Sequence, residues 1–375
     1  MDSQNVKLTL GQKIKNAIPA FSYVFFGMCI LAGIVHLICL LSEGFADFYN
    51  QNIGALVRAV LAYMTGFLPF SLAETVIIAM PVILVTLLAI SYKAFKKSDE
   101  ASTRCVVGLF SVLTFMYSVF VFGYGMGYHG ATLSEKLKLE EKPVTAVELK
   151  ETAEILLDKL SPLLNEISYA EGGESYMPYS LDEMNDKLND TYKVVSAEYT
   201  FIQDLRSNLK YIVLSEPMTY THISGVYSYY TGEANLNINF PDYSLPFTAA
   251  HELAHQRGIA PENEANFVAF LVCTASDDPY IQYSGYLNMF EYVVNALYSA
   301  DSEAYYEVIS KADTRIRYEM AAYSDFFEKY RQSVASEVSD VVNDTYLKTQ
   351  GQSAGSASYG MVVDLAVAYY KKQGA

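Results

Sequence analysis

The chain has 375 residues, a formal net charge of −16, and 51% apolar and 14% aromatic residues. Residues 1–127 hold 8 basic and 6 acidic side chains (net +2) and residues 128–375 hold 18 and 36 (net −18), so the larger part is acidic, which excludes a nucleic-acid partner. That length and apolar content leave room for a membrane portion beside a globular core, and the four cysteines offer no disulfide framework.

The first third reads as membrane-embedded. Asn16–Ser42 runs 27 residues without a formal charge, Thr75–Tyr92 runs 18 and Cys105–Ser134 runs 30. At about 1.5 Å per helical residue, each can cross a hydrocarbon layer of about 30 Å. Spans are expected over about 17–42, 75–92 and 105–126, the second kinked at Pro81. Between the first two, Ile53, Leu56, Val57, Val60, Met64 and Phe67 form a helical stripe that leaves Arg58 and Thr65 on the other face. Such a pattern predicts an interfacial or re-entrant helix over 53–70. Lys7, Lys13 and Lys15 precede the first span, and Lys93, Lys96, Lys97 and Arg104 separate the second from the third. Basic loops face the cytoplasm, so a multi-pass cell-membrane protein with a cytoplasmic N-terminus is expected. Its membrane domain would be 1–130, in contact with the lipid bilayer, and 131–375 an extracytoplasmic domain. The third span leaves through GYGMGYHG (123–130), a flexible or closely packed exit and not a phosphate loop, because it follows a membrane helix and not a strand. His36 and His129 are expected to be packing or interface residues, not ligands, and Cys273 a core residue.

Beyond the exit, apolar residues recur every three or four positions over 144–164 and 181–199, which predicts helices. A short strand is expected at 211–215. Another follows at 234–240, where Ala234, Leu236, Ile238 and Phe240 alternate with Asn235, Asn237 and Asn239. Two readings of it stand: an edge strand that pairs an extended peptide through its main chain, or a strand with a wet asparagine face.

One spacing in the chain dictates a chemistry. In FTAAHELAHQRG (247–258), His251 and His255 stand four apart with Glu252 between them, in a chain with only five histidines. On a helix, residues four apart share a face, so two imidazoles there can grip one metal ion. Glu252, one position round, is suited to taking a proton from water at that ion. Pro246 is expected at the first helical position and Gly258 just past the last. The competing reading is a solvated or self-satisfied helix turn. A third ligand is expected from IAPENEANFVAF (259–270), where Pro261 opens a helix running to about Thr274. Glu262 and Asn266 share one face of that helix, while Glu264 lies about 200° round from Glu262. The grouping Glu262-x-x-Ala265-Asn266 is similar to the glutamate-x-x-alanine-aspartate element of glutamate-zincins, with asparagine replacing aspartate. This favours Glu262 as ligand, with Glu264 as the fallback and Asn266 orienting a ligand.

Residues 285–345 are expected to add tyrosine-rich amphipathic helices, TQGQSAGSAS (349–358) a loop, and YGMVVDLAVAYYKK (359–372) a last helix. Among 32 tyrosines, no spacing identifies one that would stabilise an oxyanion. TGFLPFSLAE (65–74), the glycine-rich exit, GEANLNIN (232–239), LPFTAAHELAHQRGIAPENEANFVAFLVC (245–273), YSGYL (283–287) and LKTQGQSAGSASYGMVVDL (347–365) carry a resemblance over nearly the full length. With them the chain resembles a bacterial family catalogued as domain of unknown function 3810, although GYGMGY stands where related chains tend to carry a tryptophan. The resemblance implies three membrane spans and a zincin-like domain, and brings no substrate. The expected fold is mainly α: three transmembrane helices followed by an α-rich zincin-like domain with a small β-sheet. The expected function is a membrane-anchored zinc metallopeptidase acting on a peptide or protein substrate. Zn2+ would sit on His251, His255 and Glu262, with Glu252 as general base. Two rivals are a zinc-binding sensor or assembly platform without catalysis, and a membrane structural protein with a vestigial motif.

Overall fold

The structure, a computed structural model, describes residues 15–140, 142–331, 333–350, 352 and 361–374. It begins with α1 (Ala20–Leu41), α2 (Glu43–Phe48), a π-helical turn (Tyr49–Gly54), α3 (Ala55–Gly66), α4 (Leu72–Lys97) and α5 (Asp99–Gly123). Three of these, α1, α4 and α5, are long and apolar enough to cross a membrane, and they match the three expected spans. α4 extends beyond its charge-free run at both ends, because Ser71 caps its first turn and Lys96 and Lys97 suit its last.

α1 and α5 run parallel. Ser22 Oγ lies 2.9 Å from Ser111 Oγ, the Phe25 and Phe115 rings stack at 4.5 Å, and His36 Nδ1 lies 2.8 Å from the Tyr117 hydroxyl. Arg104 donates to Asn16 O, so the start of α1 and the α4–α5 turn share one end. His36 also stacks on His129, and both are packing residues as expected. α4 buries only Glu74 and leaves side chains such as Val82 and Leu88 exposed, the surface a lipid-facing helix presents.

The rest is a helical body: α6 (Leu133–Leu137), α7 (Ala146–Leu163), α8 (Leu181–Glu198), α9 (Ser215–Thr219), α10 (Ser244–Gln256), α11 (Glu262–Ala275), α12 (Pro279–Ala300), α13 (Ser302–Lys311), α14 (Thr314–Glu328), α15 (Val334–Thr349) and α16 (Val362–Gln373). The helices expected over 144–164 and 181–199 are α7 and α8. Thr145 and Glu148 close a capping box on α7, and Ser180 caps α8. The core lies where α10, α11 and α12 pack together, with Leu156 and Leu160 of α7 against it. Cys273 belongs to that core. Most of the loop expected at 349–358 lies outside the described residues.

Besides a hairpin of β1 (Ser168–Tyr169) and β2 (Ser175–Tyr176), one sheet has the order β3 (Lys210–Tyr211), β5 (Glu233–Leu236), β4 (Gly225–Ser228). β3 runs parallel to β5 and β4 antiparallel to it. Two strand expectations need correcting. The strand at 211–215 ends after Tyr211, because Val213 N–H and Leu214 N–H turn to the Glu74 carboxylate and α9 begins at Ser215. The segment 234–240 is not an edge, and two of its three asparagines are not wet: Asn235 and Asn237 are buried in the central strand and its extension, while Asn239 is half-buried. Asn235 donates to Val226 O and Glu233 O, and Asn237 to Ile223 O. Main-chain carbonyls thus satisfy amides that alternation alone assigns to water.

The membrane-proximal segment and the helical body cap each other. Glu233 of β5 accepts from Leu72 N–H (3.0 Å) and Ala73 N–H (2.9 Å), placing a carboxylate at the positive end of α4. Lys210 donates to Thr65 O (3.1 Å) and Leu68 O (2.5 Å) at the end of α3. Ser71 Oγ pairs with Asn235 Oδ1 at 2.6 Å. α3 follows its expected amphipathic pattern, and its polar face turns toward the protein: Arg58 and Thr65 are buried, while Ile53, Leu56, Val60, Met64 and Phe67 stay exposed.

Candidate metal centre

α10 is buried along nearly its whole length, and small side chains make that possible. Ala249, Ala250 and Ala254 have no exposed surface and let β5 and α8 approach the helix backbone. The helix starts at Ser244, two residues before the expected position, so Pro246 falls within the first turn, where no N–H is required. At the other end Gly258 adopts φ +94, a left-handed value that glycine takes without strain. Arg257 turns back on the helix, donating to Leu253 O and Asn189 Oδ1 with its guanidinium over the Tyr192 ring.

The turn at Gly258 folds α11 back beside α10. That brings Glu262 Oε2 to 3.2 Å from His251 Nε2 and 3.4 Å from His255 Nε2. The three ligand atoms lie within 4.8 Å of one another. Ligand atoms about 2.0–2.1 Å from a tetrahedral zinc stand about 3.3 Å apart, so two of the three edges already have the right length. Two imidazoles and one carboxylate also form a donor set zinc accepts. The residues present therefore fit the ion. Glu264 does not join them: its Oε1 accepts from Leu133 N–H at 2.8 Å, at the start of α6. Asn266 is buried beside His251 and Tyr292.

His255 Nδ1 donates to Ile259 O at 2.7 Å, and the Tyr124 hydroxyl lies 2.9 Å from the same nitrogen. A proton held on Nδ1 leaves the Nε2 lone pair free for a cation. Tyr124 is the residue immediately after α5, and it was not identifiable from the sequence beyond the glycine-rich exit around it. That exit is closely packed: a Cβ on Gly127 would come within 2.9 Å of Gly258 O.

The electrostatics of the cluster follow from burial and mutual charge. Burial disfavours the ionised form of Glu262, yet the two imidazoles hold it well below the usual carboxylate range. Burial likewise opposes charge on His255, but Glu262 pushes it up to about 9, while burial and His255 push His251 down. Glu252 stands apart: burial pushes its carboxyl up to about 8. Its Oε2 has no hydrogen-bond partner among the described residues. It is pressed against β4, where a Cβ on Gly225 would lie 2.6 Å from Glu252 Oε1.

Above the cluster opens a cleft of about 680 Å³. β4 forms one wall with Gly225 and Val226, α10 the floor, and α15 the far side with Asp340 and Tyr346; Tyr124 and Tyr128 close one end. β4 is an edge strand of its sheet, the place that one of the two sequence readings gave to 234–240, and its burial pattern over four residues carries no alternation by which to find it. No curated protein and no solved structure matches the chain. A family model described as protein of unknown function (DUF3810) matches residues 49–367, which include α3, two of the three apolar helices, the sheet and the candidate metal centre. The chain therefore belongs to the DUF3810 family.

Proposed function

We propose that the protein is a membrane-anchored zinc metallopeptidase. The observation that carries this reading is a buried Glu252 carboxylate, its Oε2 without a hydrogen-bond partner among the described residues, beside three converging ligand atoms that face an open cleft. Structural zinc sites are closed by four protein ligands, whereas catalytic ones keep a position open, and this cluster has three. That distinction favours catalysis over a zinc-stabilised platform. When bound, zinc lowers the pKa of a water at the open position to about 7 and polarises a carbonyl.

The chain's own residues supply the rest. His251, His255 and Glu262 would hold the ion, with His255 oriented through Ile259 O and Tyr124. A dication beside Glu252 favours its ionised form, so it can accept a proton. In hydrolysis the water oxygen bonds to the peptide carbonyl carbon, the C–N bond breaks, and Glu252 carries the water proton to the leaving amine. Gly225 and Tyr227 occupy the non-hydrogen-bonded positions of the β4–β5 ladder, so their main-chain groups face away from β5 toward Glu252, whose carboxylate meets the Tyr227 N–H; an extended substrate that displaces this contact can pair along the same edge.

The basic ends of the spans lie together at the end opposite Tyr124 and Ser71. Basic flanks face the cytoplasm, which supports a cell-membrane protein with its N-terminus inside and the metal centre outside. The test is Glu252→Gln in the full chain, with zinc content and peptide hydrolysis measured together. Zinc retained and hydrolysis lost is the expected result. Equal hydrolysis by both chains removes Glu252 as the base, and a wild-type chain that binds no zinc removes the metallopeptidase.

A further inference from the structure

We propose that the substrate is a polypeptide tethered in the same bilayer, cut within about ten residues of its own membrane anchor. This rests on the metallopeptidase reading and adds where the scissile bond must lie. Two independent connections place the candidate centre at the membrane surface. Tyr124 is the first residue after α5, and its hydroxyl is 2.9 Å from His255 Nδ1. One residue advances the backbone by about 3.8 Å, so the ligand imidazole lies a single side chain beyond the end of a span.

The second connection runs through the sheet. At one end of β4, Gly225 lies against Glu252; at the other, Ser228 pairs with Glu233, whose carboxylate caps the first turn of α4. Four residues of strand cover only about 10 Å between those points. A peptide paired along the free edge of β4 therefore runs from Glu252 to the end of a membrane span. Exposed apolar side chains gather around the start of α4: Met64 near the end of α3, Phe67 and Phe70 between α3 and α4, and Val213 and Leu214 bonded through their N–H groups to Glu74. Side chains of this kind insert at the headgroup boundary and hold the cleft down against it. A chain in bulk solvent has to descend to that level, while one that emerges from the bilayer begins there.

The experiment uses the full chain in lipid nanodiscs, together with a single-span protein that bears an unstructured tail of about 60 residues. The same tail is also supplied detached. Sharing a bilayer raises the rate by effective concentration alone, so the deciding readout is the position of the cuts, mapped by mass spectrometry. Cuts confined to about the first ten tail residues are expected, with at least about tenfold slower cutting of the detached tail. A second readout needs no turnover: in Glu252→Gln, a photo-crosslinking residue in place of Val226 should join to those same tail positions. Cuts spread evenly along the tail, or equal cutting of the detached tail, overturn the tether while leaving the hydrolase intact. No cutting of either form, with Glu252→Gln indistinguishable from the natural chain, overturns both.

Discussion

Replacing Arg58 with methionine tests whether the membrane segment and the candidate metal centre are one structural unit. Arg58 is 1% exposed, and its guanidinium donates to Asn50 Oδ1 (2.8 Å), Asn50 O (2.8 Å) and Gly123 O (3.0 Å), with Arg257 O at 3.5 Å. It thus joins the π-helical turn, the end of α5 and the end of α10, and no carboxylate is among these partners. Burial pushes the guanidinium down to about 10, which leaves it charged at neutral pH. Charged hydrogen bonds contribute about 1.5–3 kcal/mol each, so three of them outweigh a desolvation cost of several kcal/mol. Methionine removes that cost but strands the buried oxygens, at about 1–3 kcal/mol each. The expected net loss is about 3 kcal/mol, or roughly 5–10 °C in Tm. Arg58→Lys should fall between, because one ammonium cannot reach all these acceptors. Thermal unfolding of the full chain in detergent measures both. A methionine variant within about 0.5 kcal/mol of the natural chain, or full rescue by lysine, would refute the reasoning.

Gly225→Ala should displace the Glu252 carboxylate without touching a metal ligand, because the new methyl would lie 2.6 Å from Oε1. Hydrolysis should fall by about 10² or more with zinc content unchanged, as read by metal analysis beside turnover. The two carboxylates of α11 should separate cleanly. Glu262→Gln should abolish zinc retention on dialysis, whereas Glu264→Gln should keep zinc and cost about 1 kcal/mol through the weakened bond to Leu133 N–H. Away from the metal, burial pushes the Glu291 carboxyl from 4.5 up to about 7, although Tyr243 donates to it. The folded state then holds this proton more tightly than the unfolded one. Its contribution is full below pH 4.5 and is lost as pH rises toward 7, about 3 kcal/mol in all. Denaturant titrations at pH 4.5 and 7 should show that slope flattened in Glu291→Gln.

The parts of this molecule that were legible in the sequence are those fixed by local spacing. His251 and His255 share a helix face by arithmetic, and Glu262 follows once Gly258 turns the chain back. The spans are legible because lipid leaves a helix no alternative to an uncharged surface. Periodicity identifies residues that share a face, but not what covers that face. Arg58 and Thr65 were correctly set apart on α3, yet the face they occupy meets the protein and not water. Asn235 and Asn237 misled for the same reason, their amides being satisfied by carbonyls that no pattern in the sequence announces. Tyr124 and β4 complete the site from 131 and 27 positions away from His255 and Glu252, separations at which no spacing rule operates.

The contacts that pin α10 from below bear on how the protein can be regulated. A cut near Gly130 would liberate residues 131–375 without Tyr124, Asn50 or Arg58. The freed piece would keep both imidazoles but lose the hydroxyl beside His255 Nδ1 and the amide that holds Gly258 O at 2.9 Å. Shedding, which turns many anchored proteins into diffusible ones, would here dismantle the support of the centre. Whatever chemistry it performs stays local, and its range is set by how far the chain drifts in the plane of its membrane.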